Sequence, residues 1–475
     1  MANMRLVGGT VVGGVLAGLL ATTVAPNEAP APPRTAASAS ARPRRDLLST
    51  GSQQPVAIFH AFDEAYHDVE GYVCDLAGQG YSHLQVAPAQ KSNPDSQWWA
   101  RYQPVDYSVI EGRGSEHDLE SLVAKAHGCG LKVIADVVFN HMANMDAFRD
   151  LNFPGMSAAD FHKQCNINYS DGNRWTEINC WLSGNLPDLD QDKDDVKAAH
   201  QGHLDRLLGL GVDGFRFDAA KHMAPEAVRR YIDYVNARSG NTTWNYLEVI
   251  EDDDTTAEDY DSIASVTDFT LYHSMRRAFS FGGDLRALRV PNAVADPRSV
   301  TFGRNHDNMR EISATAIDPY DDPTDSYLAT AYVLARETGT PLVLGRDNLA
   351  SPFLRFGALF RSIMRRRAAA GADVKENVLA VIDSATLLVM ERGGEGWFAV
   401  NKAKDAFDVP ALDLTLTHLE GCYRELRNGF TAAVERRADG KKWVTRWGSA
   451  KRGGMQVQGR DALFFVRDPW QACRQ

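Results

Sequence analysis

The segment GFRFDAAKH, Gly214 to His222, places Arg216 and Asp218 two residues apart in a strand-forming run, with Lys221 and His222 just beyond. A strand alternates its faces, so the two charges point the same way. An inward Arg and Asp need each other and a polar ligand to offset their desolvation. Other segments end in the same manner: ADVVFNH supplies Asp136, Asn140 and His141, YLEVI supplies Glu248, and TFGRNHD supplies Asn305, His306 and Asp307. Among these, the carboxylates Asp218, Glu248 and Asp307 with His141, His306 and Arg216 form a set able to cut a glycosidic bond. One carboxylate attacks or stabilises an oxocarbenium-like centre while another delivers a proton to the leaving oxygen. Arg216 is expected to keep Asp218 ionised, and like charges to raise the proton affinity of Glu248.

Such residues must be brought together by the elements that carry them. Apolar runs at 56–62, 81–89, 131–139, 212–217, 246–250, 266–271, 299–302 and 341–345 alternate with helix-like segments. Eight strands alternating with helices predict an α/β fold, a (β/α)8 TIM barrel whose strand C-termini share one mouth. The barrel is assigned to 55–140 and 196–376. Residues 141–195, rich in Asn, Asp and Gly, are too long for a turn and are read as an inserted loop subdomain. Strands such as ATLLVMER and GWFAVNKA place a C-terminal antiparallel β-domain at 377–475.

The 475-residue chain has a net charge of -11 and no extended basic patch, which argues against nucleic acid as a partner. Residues 6–25 are uncharged and apolar or small; 1–25 is read as a signal peptide or anchor and 26–54 as a disordered linker. Secretion is expected, with membrane anchoring through residues 6–25 as the alternative. Six cysteines suit an oxidising compartment. Cys165 and Cys180 are the first candidate pair, and Cys422 and Cys473 could close the C-terminal segment. Cys74 and Cys129 are a third pair or free buried thiols. Asn168 and Asn241 begin glycosylation sequons.

DVVFNH, GFRFDAAKH, LEVI and FGRNHD resemble, in order, the signature segments of the α-amylase family of glycoside hydrolases, and LPDLD at 186–190 resembles a fifth. The resemblance covers about 55–375. It implies Asp218 as nucleophile of a retaining mechanism, Glu248 as acid/base and Asp307 as transition-state stabiliser, with His141, Arg216 and His306 lining the same sugar subsite. QWWARYQPVDY resembles the family's WWxRYQP segment, so Trp98, Trp99, Tyr102 and Gln103 are expected to meet sugar, and Lys221 and His222 to hold sugars on the reducing side.

The resemblance also implies a calcium site of Asn140, Asp188 and the His222 backbone carbonyl, completed by a carbonyl near Ile178 or Asn179; these are hard oxygen donors. No Cys/His spacing suggests zinc. Relatives that bind chloride use a basic residue on the eighth strand where Leu342 stands, so chloride is not expected. Arg304 replaces a frequent acid, and Glu251 a frequent Asp. The expected protein is a monomeric endo-acting α-amylase on starch or glycogen. An exo-acting or transglycosylating relative, or an inactive carbohydrate-binding homologue, is the alternative.

Overall fold

The computed structural model describes residues 54–169, 172–313, 315–409, 414–447, 455–469 and 473. Residues 1–53, expected to hold a signal peptide or anchor and most of a linker, lie outside the described residues.

Eight parallel strands close a barrel: β1 (Ile58–Ala61), β2 (His83–Val86), β3 (Lys132–Val137), β4 (Gly214–Phe217), β5 (Tyr246–Leu247), β6 (Ser265–Thr267), β7 (Ser299–Thr301) and β8 (Thr340–Leu344). β8 returns to β1 with Ile58 opposite Leu342, which closes the ring. Burial on both faces favours Val, Ile, Leu and Phe here. On β4, Phe215 and Phe217 are buried in the surrounding apolar core while the intervening Arg216 joins the buried carboxylates of the site. Gly214 is required at its position, because an added Cβ would lie 1.9 Å from the Trp244 carbonyl oxygen.

The helix behind β4 begins with Pro225 at its first turn and ends at Gly240, whose left-handed φ of 64° suits glycine. It buries Val228, Tyr231, Ile232 and Val235 against the barrel. The sixth strand is shorter than its apolar run. Asp268 ends it by accepting the Leu271 amide at 2.7 Å, which caps the helix Phe269–Phe279.

The insertion leaves the barrel after β3 and returns at the helix Asp194–Gly209. Bridges between His141 and Asp188 and between Phe161 and Leu189 fasten it. Its helix, Arg174–Asn179, is too short to leave a helical period in the sequence. A hairpin of Gln90–Ser92 with Pro104–Ile110, which the sequence reading did not distinguish, carries the 3-10 turn Trp98–Tyr102.

Beyond the helix Leu354–Ala369 lies a seven-stranded antiparallel sheet that includes Leu387–Arg392, Gly396–Asn401 and Asp461–Asp468. Trp397 and Phe465 stack at 4.0 Å in its own core. Lys402 joins it to the barrel by donating to the Ala278 and Ser280 carbonyls at 2.7 and 2.9 Å. All three cysteine pairs are bonded: Cys165–Cys180 within the insertion, Cys422–Cys473 in the C-terminal domain, and Cys74–Cys129 across two outer barrel helices.

Candidate active site

The chain makes an abrupt turn where β4 ends. Asp218 is anchored by its amide to the Val137 carbonyl at 2.9 Å, and Ala219 then takes φ 47°, ψ 35°. A left-handed alanine is strained and persists only where its surroundings hold it. One holder is Glu248, whose Oε2 accepts the Ala219 amide at 2.8 Å. The acid at the end of β5 is thereby tied to the residue following the acid of β4.

Arg216 forms the hub. Its Nη1 donates to Asp218 at 2.7 Å and to both oxygens of Asp136 at 2.9 Å, while Nη2 lies 2.5 Å from Glu248. Its guanidinium also sits over the Tyr102 ring, 5.7 Å from the centroid. Asp136 is fully buried and takes the Tyr102 hydroxyl at 3.0 Å. The sequence marks Asp136 as a strand-end acid without giving it a role. Its meeting with Arg216, 80 residues further along the chain, is a tertiary fact.

Burial raises the proton affinity of every carboxyl here. Asp218 is pushed up to about 8, with Arg216 opposing burial and the charges of Glu248 and Asp307 reinforcing it. Asp136 is likewise pushed up to about 8 by burial against the pull of Arg216. Glu248 is raised by burial and by Asp307, and Asp307 is raised by burial. This corrects the expectation for Asp218: one guanidinium shared among three carboxylates does not outweigh their burial and mutual repulsion. The cluster therefore holds protons as a unit, the condition for a general acid at neutral pH.

The aromatic wall comes from the hairpin. Tyr102 stacks on His306 at 5.3 Å, Phe62 from the end of β1 stacks on it at 4.7 Å, and Trp98 meets it edge-on at 5.8 Å. Trp98 and Trp99 remain half-buried, and Trp98 donates to the Ile312 carbonyl at 3.3 Å. Gln103 accepts from Asn93 at 2.8 Å. His141 donates from Nε2 to the Tyr102 carbonyl at 2.9 Å, leaving a buried Nδ1 without a protein partner. Burial lowers His141 to about 4 and His306 to about 3, so both rings are neutral at pH 7. His60, inside β1, is a further buried ring beside His306, 5.5 Å away; it stands within the first apolar run and was not among the expected site residues.

Lys221 and His222 turn toward the insertion. Lys221 donates to the Ile250 carbonyl at 3.0 Å and pairs with Asp252, and His222 Nδ1 donates to the Glu177 carbonyl at 2.9 Å. Glu177 and Asp252 were absent from the sequence reading, since neither lies at a strand end. Nearby, Asn140 Oδ1 and Asp188 Oδ1 are buried without protein partners, and the other Asp188 oxygen bonds His162 at 2.6 Å. Among the described residues no group of three or more His, Cys, Asp or Glu side chains is gathered for a metal. An unsatisfied amide oxygen and one unsatisfied carboxylate oxygen nevertheless suit a hard cation completed by backbone carbonyls.

A parallel barrel whose mouth gathers a buried arginine and acids from β3, β4, β5 and the β7 loop is the framework of a barrel glycoside hydrolase. The family model "Alpha amylase, catalytic domain" matches residues 76–267. An alpha-amylase of Aeromonas hydrophila is 31% identical over 397 residues, covering 73% of this chain and 84% of that protein. An alpha-amylase-related protein of Drosophila pseudoobscura pseudoobscura is 32% identical over 317 residues; the match spans 60% of this chain and 63% of the fly protein. A structure of alpha-amylase I from Eisenia fetida with maltohexaose shares the fold, with a TM-score of 0.69 at 21% identity over 86% of this chain and 98% of that one. The chain belongs to the alpha-amylase family and is a glycoside hydrolase.

Proposed function

We propose that the protein is a secreted, endo-acting α-amylase that hydrolyses α-1,4-glucosidic bonds of starch or glycogen with retention of configuration. The observation that carries this reading is the arrangement of Asp218 and Glu248 on two nitrogens of Arg216, with Asp307 beside Glu248. In the state of the cluster that has the proton on Glu248 and leaves Asp218 ionised, Asp218 attacks the anomeric carbon while Glu248 gives its proton to the glycosidic oxygen, and the C–O bond breaks to leave a glycosyl ester on Asp218. Glu248, now a carboxylate, takes a proton from water; the hydroxide attacks the anomeric carbon and Asp218 leaves. Asp307, whose buried Oδ2 has no protein partner, accepts from sugar hydroxyls and favours positive charge on the ring.

Trp98, Trp99 and Tyr102 supply flat faces for sugar rings, and neutral His141 and His306 supply hydrogen bonds. The glucan substrate agrees with the maltohexaose bound to the earthworm enzyme, which has the same fold. Asn140 and Asp188 would hold a calcium ion together with backbone carbonyls, which would supply a structural cross-link between insertion and barrel. Secretion agrees with three disulfides and the apolar N-terminal segment.

The test is E248Q assayed on amylose, alongside the anomeric form of the wild-type product read by proton NMR. Loss of hydrolysis by about 10²- to 10⁴-fold and initial release of the α-anomer are expected. Retained activity in E248Q removes Glu248 from its role; a β-anomer excludes retention; products longer than the substrate point to transglycosylation.

A further inference from the structure

We propose that His60 is a positioning residue for His306: one water held between the two rings keeps the imidazole proton of His306 on Nε2, beside Asp307. His60 lies inside β1, opposite Leu344 of β8 on one side and Gln85 of β2 on the other. It belongs to none of the signature segments.

The His60 ring is 1% exposed, and both of its nitrogens are buried with no protein group to bond. A phenylalanine would fill this position without desolvating two polar atoms. His306 Nδ1 is buried and unmet in the same way. Two adjoining rings thus present three unmet nitrogens, and buried solvent is what normally satisfies such groups. The ring centres lie 5.5 Å apart with their planes at 74°, a separation that a single water spans from nitrogen to nitrogen. The surroundings are otherwise aromatic. Phe62 meets His60 edge-on at 5.6 Å and stacks on His306 at 4.7 Å.

The direction of these hydrogen bonds follows from charge. Burial, reinforced by the positive charge of Arg216, lowers the proton affinity of both rings, so each is neutral at pH 7 and carries one N–H. His306 Nε2 stands 3.4 Å from Asp307 Oδ1. A lone pair on Nε2 would face that carboxylate oxygen, so the proton belongs there and Nδ1 is left to accept. The water then points a hydrogen at Nδ1 while accepting the N–H of His60. Without His60 the water is free to turn round and accept from an Nδ1–H. That second tautomer presents a lone pair both to Asp307 and to a sugar hydroxyl that needs a donor.

The proposal rests on His306 meeting the sugar. H60F keeps an aromatic ring in place but has no N–H, and H60Q restores a side-chain donor. Heteronuclear NMR on isotope-labelled histidine reports which His306 nitrogen carries the proton, with H306N supplying the assignment. Wild type and H60Q are expected to carry it on Nε2, and H60F to show the Nδ1–H form. On maltopentaose, kcat/KM is expected to fall about 3- to 10-fold in H60F and to recover most of that in H60Q. An unchanged His306 signal in H60F, or wild-type kcat/KM in that variant, overturns the relay. Should H60F not fold, the wild-type spectrum still decides, because Nδ1–H on His306 contradicts the proposal. Full activity in H306N removes the sugar contact itself; impaired H306N beside unimpaired H60F removes only the role given to His60.

Discussion

Asp136 and Asp218 bond to the same nitrogen of one side chain, Nη1 of Arg216, at 2.9 and 2.7 Å. The acid that is to attack therefore competes for its counter-charge with an acid that never meets solvent. Replacing Asp136 by Asn leaves the shape intact and gives Arg216 to the remaining acids. Loss of a neighbouring negative charge makes Asp218 easier to ionise, so the acid limb of kcat/KM is expected to move down by about one pH unit in D136N. A limb that is unmoved or moves up contradicts the shared-nitrogen account.

Asp218 also ties stability to pH. Its folded-state value, about 8, lies above the ordinary 3.8, so the folded site prefers the protonated acid. The stability this contributes is complete below about pH 4 and is lost as pH rises toward 8. D218N cannot ionise and escapes that loss. Its Tm relative to wild type is expected to climb between pH 5 and 8, measured by scanning calorimetry; a pH-independent difference would refute the raised value.

Calcium should act through Asn140 and Asp188. Binding to the folded state alone at 100 times Kd adds about 2.7 kcal/mol. Chelation is expected to lower the Tm of the wild-type protein, and D188N to abolish the increment that added calcium restores. An equal calcium response in D188N places the ion elsewhere.

The Cys74–Cys129 bond spans 55 residues and clips the first two outer helices of the barrel. Chain-entropy arguments give a cross-link of that length about 4 kcal/mol. C74S/C129S should unfold at a lower temperature in calorimetry while keeping its kcat, because neither helix carries a site residue. A matching Tm denies the bond a stabilising role.

Arg304 fixes the loop of Asp307. It grips Asp347, beyond β8, through Nε and Nη2 at 2.8 and 2.7 Å, and reaches Glu311 with Nη1 at 2.8 Å. Lysine cannot reproduce a two-pronged contact. R304K is expected to lose about tenfold in kcat, and the exchanged pair R304D/D347R to recover part of it. Full activity in R304K makes the clamp dispensable.

Much of this architecture is legible in the chain because its signals are local. Eight apolar runs mark eight strands, and period-two alternation puts Arg216 and Asp218 on one face. The sixth strand is overrun for an equally local reason: DFTL reads as strand by composition, while Asp268 caps a helix with its side chain. Glu177, Asp252 and His60 give no comparable signal. Glu177 lies in a helix too short to show a period and Asp252 on a loop, and a histidine in an apolar run resembles any core position.

The sequence by itself determined which acids arrive at the barrel mouth, because strand register follows from neighbouring residues and the ring brings strand ends together. The tertiary structure decided what those acids share. Arg216 divides its charge among Asp136, Asp218 and Glu248, drawn from up to 80 positions away, and Lys221 is enclosed by two other loops. Desolvation and pairing depend on which distant groups exclude water from a site, and alternation along one strand carries no record of them.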